Sequence, residues 1–300
     1  MLGSFPKPPE RIGGADIRVG AAVYTARMSA ADSLRVVFLG SGSGGNAVAV
    51  TDGDTTLLID CGFSAREVAR RMTAVGIDPG SVGAILLTHE HSDHVRGVDV
   101  FARRHGCAVH ATQGTRTAAG LDYLDVEVCS LLPGEPVRVD SLLVVAFATS
   151  HDAAEPVGFR VETATGESFG LVTDTGVFTA EAREALADID MLGIESNHDL
   201  TMLDNGPYPS YLKRRIRSAQ GHLSNPDAAD ALEALVSSRL RRVIALHRSD
   251  TNNTASLAKR ALTARLAALD VRVPVLVAPQ HEPLDTSPAQ GALFSEEEAD

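Results

Sequence analysis

No stretch of this chain stays apolar for long. The longest runs, such as "VGAILLT" and "DSLLVVAFA", fall far below the roughly 18 residues a membrane helix needs, so they predict buried strands and no helical membrane span. Residues 1–27 carry Lys7, Arg11, Arg18 and Arg27 but lack the apolar segment of a secretory signal, and "FPKPPERIGG" is rich in Pro and Gly. Residues 1–33 are therefore expected to be a flexible leader, with Met28 as an alternative start to Met1. Cysteine is also scarce. Cys61, Cys107 and Cys129 are odd in number and form no CxxC pair, which argues against a disulfide framework and for a reducing cytoplasm. Positive charge is short too: the net charge is -12, with Lys only at positions 7, 213 and 259. That balance argues against a protein that coats polyanions without regard to sequence, and leaves room for a local basic groove at "YLKRRIR" or "SRLRRV".

What is present reads as an ordinary globular composition, 44% hydrophobic and 22% charged over 300 residues, enough for one large domain or two merged halves. From "LRVVFLG" onward, strand-like runs alternate with amphipathic helices: "NAVAVTD" and "TTLLIDCG", then a helix over "SAREVARRMTAVG" closing at Gly76, then "VGAILLTH" and a helix over "DHVRGVDVFARRHG" ending at Gly106. A β-rich middle follows, and the second half returns to helix with strands at "RVIALH" and "VPVLVAP". Two ββαβ-like halves facing each other predict an α/β fold, a four-layer αββα sandwich of two mixed sheets with outer helices, over residues 34–283. Residues 284–300, rich in Pro, Ser and Glu, are expected to be an acidic disordered tail.

The densest chemistry lies in "LLTHEHSDHVRG". At a strand exit, residues two apart project to one side, so His89 and His91 can reach one ion, while Asp93 and His94 open the next helix facing a point a few ångströms away. Imidazole and carboxylate donors suit Zn2+ or Mn2+. Four further candidates follow apolar runs: Asp60 in "LLIDCG", His151 in "FATSHD", Asp174 in "LVTDTG" and His247 in "VIALHRSD". Any one alone reads as a polar residue closing a strand. Together with the histidine cluster they predict convergence at one sheet edge.

Three other segments are candidates for supporting hydrogen bonds or substrate contact. "GSGSGGN" offers Ser43 and Asn46 in a glycine turn whose amides could also meet phosphate; "ESNHD" offers Glu195, Asn197 and His198; "GHLSN" offers His222 and Asn225. Lys213, Arg214, Arg215 and Arg217 precede His222 and form either a phosphate-binding rim or a solvated face.

"THEHSDH" with its downstream Asp and His residues resembles the metallo-β-lactamase superfamily of binuclear hydrolases. Within it, "FLGSGSGGNA", "LIDCGFS", "LTHEHSDHVRGV", "IESNHD", "GHLSN" and "LHRSDTNN" resemble the YycJ/WalJ group over residues 34–278. The resemblance implies two divalent metal ions, one held by His89, His91 and His151, the other by Asp93, His94 and His247, with Asp174 bridging. It also implies an outer role for Asp60 in orienting the cluster and a 5′-to-3′ DNA exonuclease activity. His222 and His247 compete for the last ligand position. His247 is preferred because "RRVIALH" delivers it from a buried strand, although the group's pattern carries a leucine and a glutamate at the positions of Arg248 and Thr251.

The expected reaction uses hydroxide shared between two cations, typically ~3.5 to 4 Å apart, attacking phosphorus in line. Asp93 and His222 are the residues expected to act in catalysis, His222 by stabilising charge on the leaving oxygen. The rivals are a small-substrate hydrolase of the same superfamily, acting on a thioester, lactone, cyclic nucleotide or β-lactam, and a metal-stabilised binding protein without turnover. The partner expected is DNA or another phosphodiester, and the oligomeric state is left open.

Overall fold

Strand β1 (Arg35–Gly40) shows how the layers arise: every residue from Val36 to Gly40 is buried, so both faces of the strand are covered. Val36 and Phe38 join one apolar cluster, while Val37 and Leu39, pointing the other way, join a second. The computed structural model describes residues 34–287. The expected leader, residues 1–33, and the sequence beyond 287 lie outside the described residues.

In chain order the first half supplies β1, β2 (Ala47–Thr51), β3 (Thr56–Ile59), α1 (Ala65–Ala74), β4 (Val82–Leu86), α2 (Ser92–Val95), α3 (Val98–His105), β5 (Ala108–Ala111), α4 (Gln113–Ala118) and β6 (Val128–Ser130). The second half supplies β7 (Pro136–Val139), β8 (Leu142–Ala148), β9 (Val157–Glu162), β10 (Ser168–Val172), α5 (Ala180–Ala185), β11 (Met191–Glu195), α6 (Leu200–Asn205), α7 (Ser210–Ile216), α8 (Asn225–Leu232), β12 (Arg242–Leu246), α9 (Ala255–Ala268), β13 (Val275–Val277) and β14 (Leu284–Asp285). The strands form two seven-stranded sheets, in the orders β14-β1-β2-β3-β4-β5-β6 and β13-β12-β11-β10-β9-β8-β7.

Their inner faces meet in a core that includes Phe38, Leu57 and Leu86 from one sheet and Phe159, Phe169 and Ile244 from the other. One outer face packs on α1 and α3 through Val68, Met72 and Phe101, the other on α5, α8 and α9 through Ala182, Leu232 and Leu262. This is the expected four-layer αββα sandwich. The three cysteines are free, Cys61 and Cys107 buried among apolar side chains.

Two details differ from expectation. The helix predicted across residues 93–106 is two helices, α2 and α3, separated at Gly97. There the amide donates to the Cys61 carbonyl at 2.8 Å, and a Cβ would sit 2.4 Å from the Phe63 carbonyl oxygen, so the segment that follows β3 can press against the junction of α2 and α3 only if position 97 is glycine. Second, the part of the expected tail that is described is not tail. Leu284 and Asp285 pair antiparallel with Phe38 and Val37, and Asp285 forms an ion pair with Arg35 at 2.7 Å, so the folded unit continues past residue 283.

Phe169 is fully buried and meets Phe38 edge to face at 6.1 Å across the sheets. Replacing it with alanine is expected to cost about 3–5 kcal/mol, read as a lower urea midpoint, whereas the exposed Val100→Ala should stay within about 0.5 kcal/mol. Equal losses at both positions would contradict the sandwich core.

Candidate metal centre at the shared strand ends

β3 and β4 run parallel, and β10, β11 and β12 run parallel, so the carboxyl ends of each set leave its sheet at one edge. The residues that emerge are Asp60 after β3, His89 after β4, His151 after β8, Asp174 after β10, Glu195 at the end of β11 and His247 after β12. Asp60, Asp174 and His247 take left-handed backbone at φ 60, 49 and 49°. Asp and His tolerate this region better than most residues, and it turns the side chain out of the strand's alternation toward the edge.

The convergence produces four overlapping groups of potential donors, two of which match the sets that the sequence implies. His89, His91 and His151 offer ligand atoms all within 4.8 Å of one another, and so do Asp93, His94 and His247. Asp174 stands between them. Its Oδ1 lies 3.8 Å from His151 Nε2 and its Oδ2 3.4 Å from His94 Nε2. Asp93 Oδ2 lies 3.6 Å from His94 Nε2 and 3.9 Å from His247 Nε2. The two candidate groups support a binuclear metal site.

The opposite sides of the His89, His94, His151 and His247 rings are held by protein. Asp60 Oδ2 lies 2.8 Å from His94 Nδ1; a carboxylate can only accept, so this nitrogen carries a hydrogen and Nε2 is the atom turned toward the candidate metal position. Thr88 Oγ1 donates to Asp60 at 2.9 Å and so has only lone pairs left for His89 Nδ1 at 3.0 Å. His151 Nδ1 donates to the Gly221 carbonyl at 3.0 Å. Glu195 Oε1 accepts from both His222 Nδ1 at 2.8 Å and His247 Nδ1 at 2.9 Å, while Oε2 accepts the Thr175 amide beside Asp174.

The remaining Nε2 atoms of His89 and His247 are buried without a hydrogen-bond partner among the described residues. A bare imidazole nitrogen beside carboxylates suits a divalent cation, so the donor set fits the metals that the sequence implies. His247 and His222 share one candidate group with Asp174 and Glu195, but only His247 also joins Asp93 and His94. His247 turns Nε2 toward Asp93 and His94, whereas His222 is partly exposed and lines a cavity.

Burial disfavours charge on His94, but Asp60, Asp174 and Asp93 outweigh it and raise its pKa to about 9. His247 and His222 are raised in the same way by Asp174 and Glu195, against burial. Burial would lift the Glu195 carboxyl, but those two histidines hold it well below the usual range. His89 moves the other way, kept neutral by burial and by its histidine neighbours. The Cys61 thiol is pushed well up, chiefly by burial, and serves as packing.

The other candidates divide. Asn46 Nδ2 lies 3.0 Å from His94 Nε2 and 3.3 Å from Asp93 Oδ2, and Ser43 lines the cavity. Within the glycine turn, the Gly42, Gly44 and Gly45 amides already donate to Asn46, Gln280 and Gly42, which favours its reading as a turn. Asn197 supports His247 by donating Nδ2 to its carbonyl at 2.8 Å. His198 is buried with both ring nitrogens unpartnered among the described residues, and burial lowers its pKa to about 4. Asn225 stands apart from the donor cluster, in a buried network with Ser196 and Asn253.

The basic rim is thinner than the sequence suggested. Of the four cations only Arg215 lines the cavity, paired with Asp152 at 2.6 Å, while Arg217 pairs with Asp204. Sequence reasoning missed Thr88, Ser41, whose hydroxyl accepts the His247 amide at 2.8 Å, and Asp152. Thr88 and Asp152 each adjoin a candidate ligand, and that adjacency was the available signal.

Against known proteins, the model of the "Beta-lactamase superfamily domain" matches residues 55–248. The chain is 33% identical over 265 residues to Exodeoxyribonuclease WalJ of Streptococcus pneumoniae, covering 86% of this chain and 96% of that one. It is 32% identical over 230 residues to Exodeoxyribonuclease YycJ of Bacillus anthracis, covering 75% and 86%. Among solved structures, the metallo-β-lactamase fold protein YhfI from Bacillus subtilis superposes with a TM-score of 0.66 at 14% identity, over 84% of this chain and all of that one; this likeness concerns the fold.

Two outcomes are expected. Asp60→Asn, which keeps a side chain suited to left-handed backbone, should weaken metal affinity about 10- to 100-fold in isothermal titration; unchanged affinity would contradict the orienting role. In protein stripped by a chelator, the raised His94 pKa stabilises the fold fully below about 6.5 and that contribution is lost as pH climbs through about 9. Metal must displace those protons, so affinity should rise across this window with proton release, seen in buffers of different ionisation enthalpy. PH-independent binding would contradict it.

Proposed function

The chain belongs to the metallo-β-lactamase superfamily and is a metal-dependent hydrolase, and from that premise we propose that it hydrolyses phosphodiester bonds at DNA ends, in the 5′-to-3′ direction. The observation that carries the proposal is the likeness to Exodeoxyribonuclease WalJ, which spans 96% of that protein and so is not confined to the metal motif.

In this reading His89, His91 and His151 would hold one divalent ion, Zn2+ or Mn2+, Asp93, His94 and His247 would hold the other, and Asp174 stands between the two groups. Bound there, the ions supply Lewis-acid polarisation of a phosphoryl oxygen and water of lowered pKa. The protein's own contributions are positional and protonic. Asp60 and Thr88 fix the rings of His94 and His89, and Asn46 braces Asp93. Glu195 accepts from His222 Nδ1 and, with Asp174, raises the pKa of His222 against burial, which favours the protonated ring that would stabilise the departing oxygen. Glu195 touches His247 as well, so the residue that steadies the leaving-group histidine also steadies a metal donor.

The test is degradation of end-labelled duplex DNA by metal-loaded protein beside a thioester and the β-lactam nitrocefin. DNA should shorten from its 5′ ends only with divalent metal. His91→Ala should slow it at least about 100-fold and His222→Ala about 100- to 10,000-fold. Hydrolysis of the thioester or nitrocefin, with DNA left intact under every divalent ion, would overturn the proposal in favour of a small-substrate hydrolase.

A further inference from the structure

We infer that the cavity beside His222 is a subsite for one unpaired nucleobase, that of the terminal nucleotide, stacked on Tyr208. The inference rests on the DNA-end reading and adds which kind of end the site takes.

The cavity is about 190 Å³ and combines an aromatic and aliphatic surface from Tyr208, Leu212 and Ile216 with hydroxyls from Ser43 and Ser249. Leu212 and Ile216 lie four residues apart on α7 and so share a face. Tyr208 sits between Pro207 and Pro209, which caps α7. Proline fixes its own φ and restricts the residue before it, so the ring is presented from stiff backbone. The hairpin behind it is pinned, because Lys213 donates to the Asp204 carbonyl at 2.7 Å and Arg217 pairs with the Asp204 carboxylate at 2.7 Å. Tyrosine is otherwise sparse in this chain, with four in 300 residues.

Chemistry and size narrow the occupant. Arg215, the cation lining the cavity, is already neutralised by Asp152, so the space suits a neutral planar ring better than a small anionic substrate. Pockets for drug-sized ligands run to roughly 300–1,000 Å³; at about 190 Å³ this one is nearer the scale of a single base than of a base pair. Stacking on an aromatic side chain is how single strands are held with little regard to sequence, and a base taken into such a pocket has left its partner. His222 lines the same cavity with its ring 5.1 Å from that of His151 and 5.2 Å from that of His247. A base seated on Tyr208 therefore keeps the phosphodiester on the 3′ side of its nucleotide beside the metal groups.

The experiment uses the metal-loaded full chain and three duplexes of one sequence: a blunt G·C-clamped end, an end with one unpaired 5′ nucleotide, and the same unpaired nucleotide made abasic. Wild type should degrade the unpaired end at least about 5-fold faster in kcat/KM than either of the others. Tyr208→Ala should lower kcat/KM on the unpaired end about 5- to 150-fold, chiefly through KM, and abolish the difference between base-bearing and abasic ends, while Tyr208→Phe retains it. The abasic comparison in wild type and the Tyr208→Phe variant are read whether or not Tyr208→Ala folds. If DNA is degraded but wild type treats abasic and base-bearing ends alike, or Tyr208→Ala still separates them, the subsite is wrong and the exonuclease reading stands. Wild type that leaves all three duplexes intact overturns both.

Discussion

A buried imidazole needs a partner at each ring nitrogen, and at this sheet edge the protein partners the Nδ1 side of His89, His94, His151 and His247 but, among the described residues, leaves the Nε2 side of His89 and His247 without one. Asp60, Thr88, Glu195 and the Gly221 carbonyl take the Nδ1 atoms of His94, His89, His247 and His151. Nothing in the described residues satisfies Nε2 of His89 or His247, while the carboxylates of Asp93 and Asp174 stand within 4 Å of that side. Desolvated charge and unsatisfied ring nitrogens cost too much to persist for packing alone. A pair of cations resolves both problems together, and the surrounding fold follows from the need to hold these groups against one another.

The sandwich meets that need by direction. Parallel strands deliver their last residues to a common edge, and left-handed backbone at Asp60, Asp174 and His247 aims the side chains across it. The cost of that backbone is carried by strands buried on both faces, whose packing over-determines where they end. Gly62 and Gly97 serve the same end. A Cβ on Gly62 would collide with the Asp93 carbonyl oxygen, so "DCG" can lie against α2 and fix the turn from His89 to His94.

Much of this was legible in the sequence because it rests on local pattern. The HxHxDH spacing and the acidic or histidine residue closing each apolar run name the donors, and convergence follows once the strands are taken as parallel. What was not legible depends on which side chain turns toward which. Glu195 reads as a buttress, but its sharing between His222 and His247 is a three-dimensional fact. Arg215 reads as part of a cationic rim, and only the fold brings Asp152 to it from 63 residues away. Asn225, in a segment otherwise rich in site residues, is drawn instead into the Ser196 and Asn253 network. Leu284 and Asp285 become a strand because β1 has an open edge beside them, which composition does not reveal.

The account stands or falls on two ions held by nitrogen and oxygen alone. X-ray absorption on protein loaded with two equivalents of zinc tests this most directly. It should show no sulfur scatterer, despite Cys61 beside Asp60, and a metal–metal distance near 3.5–4 Å. A single isolated ion, or one bound by cysteine, would contradict it.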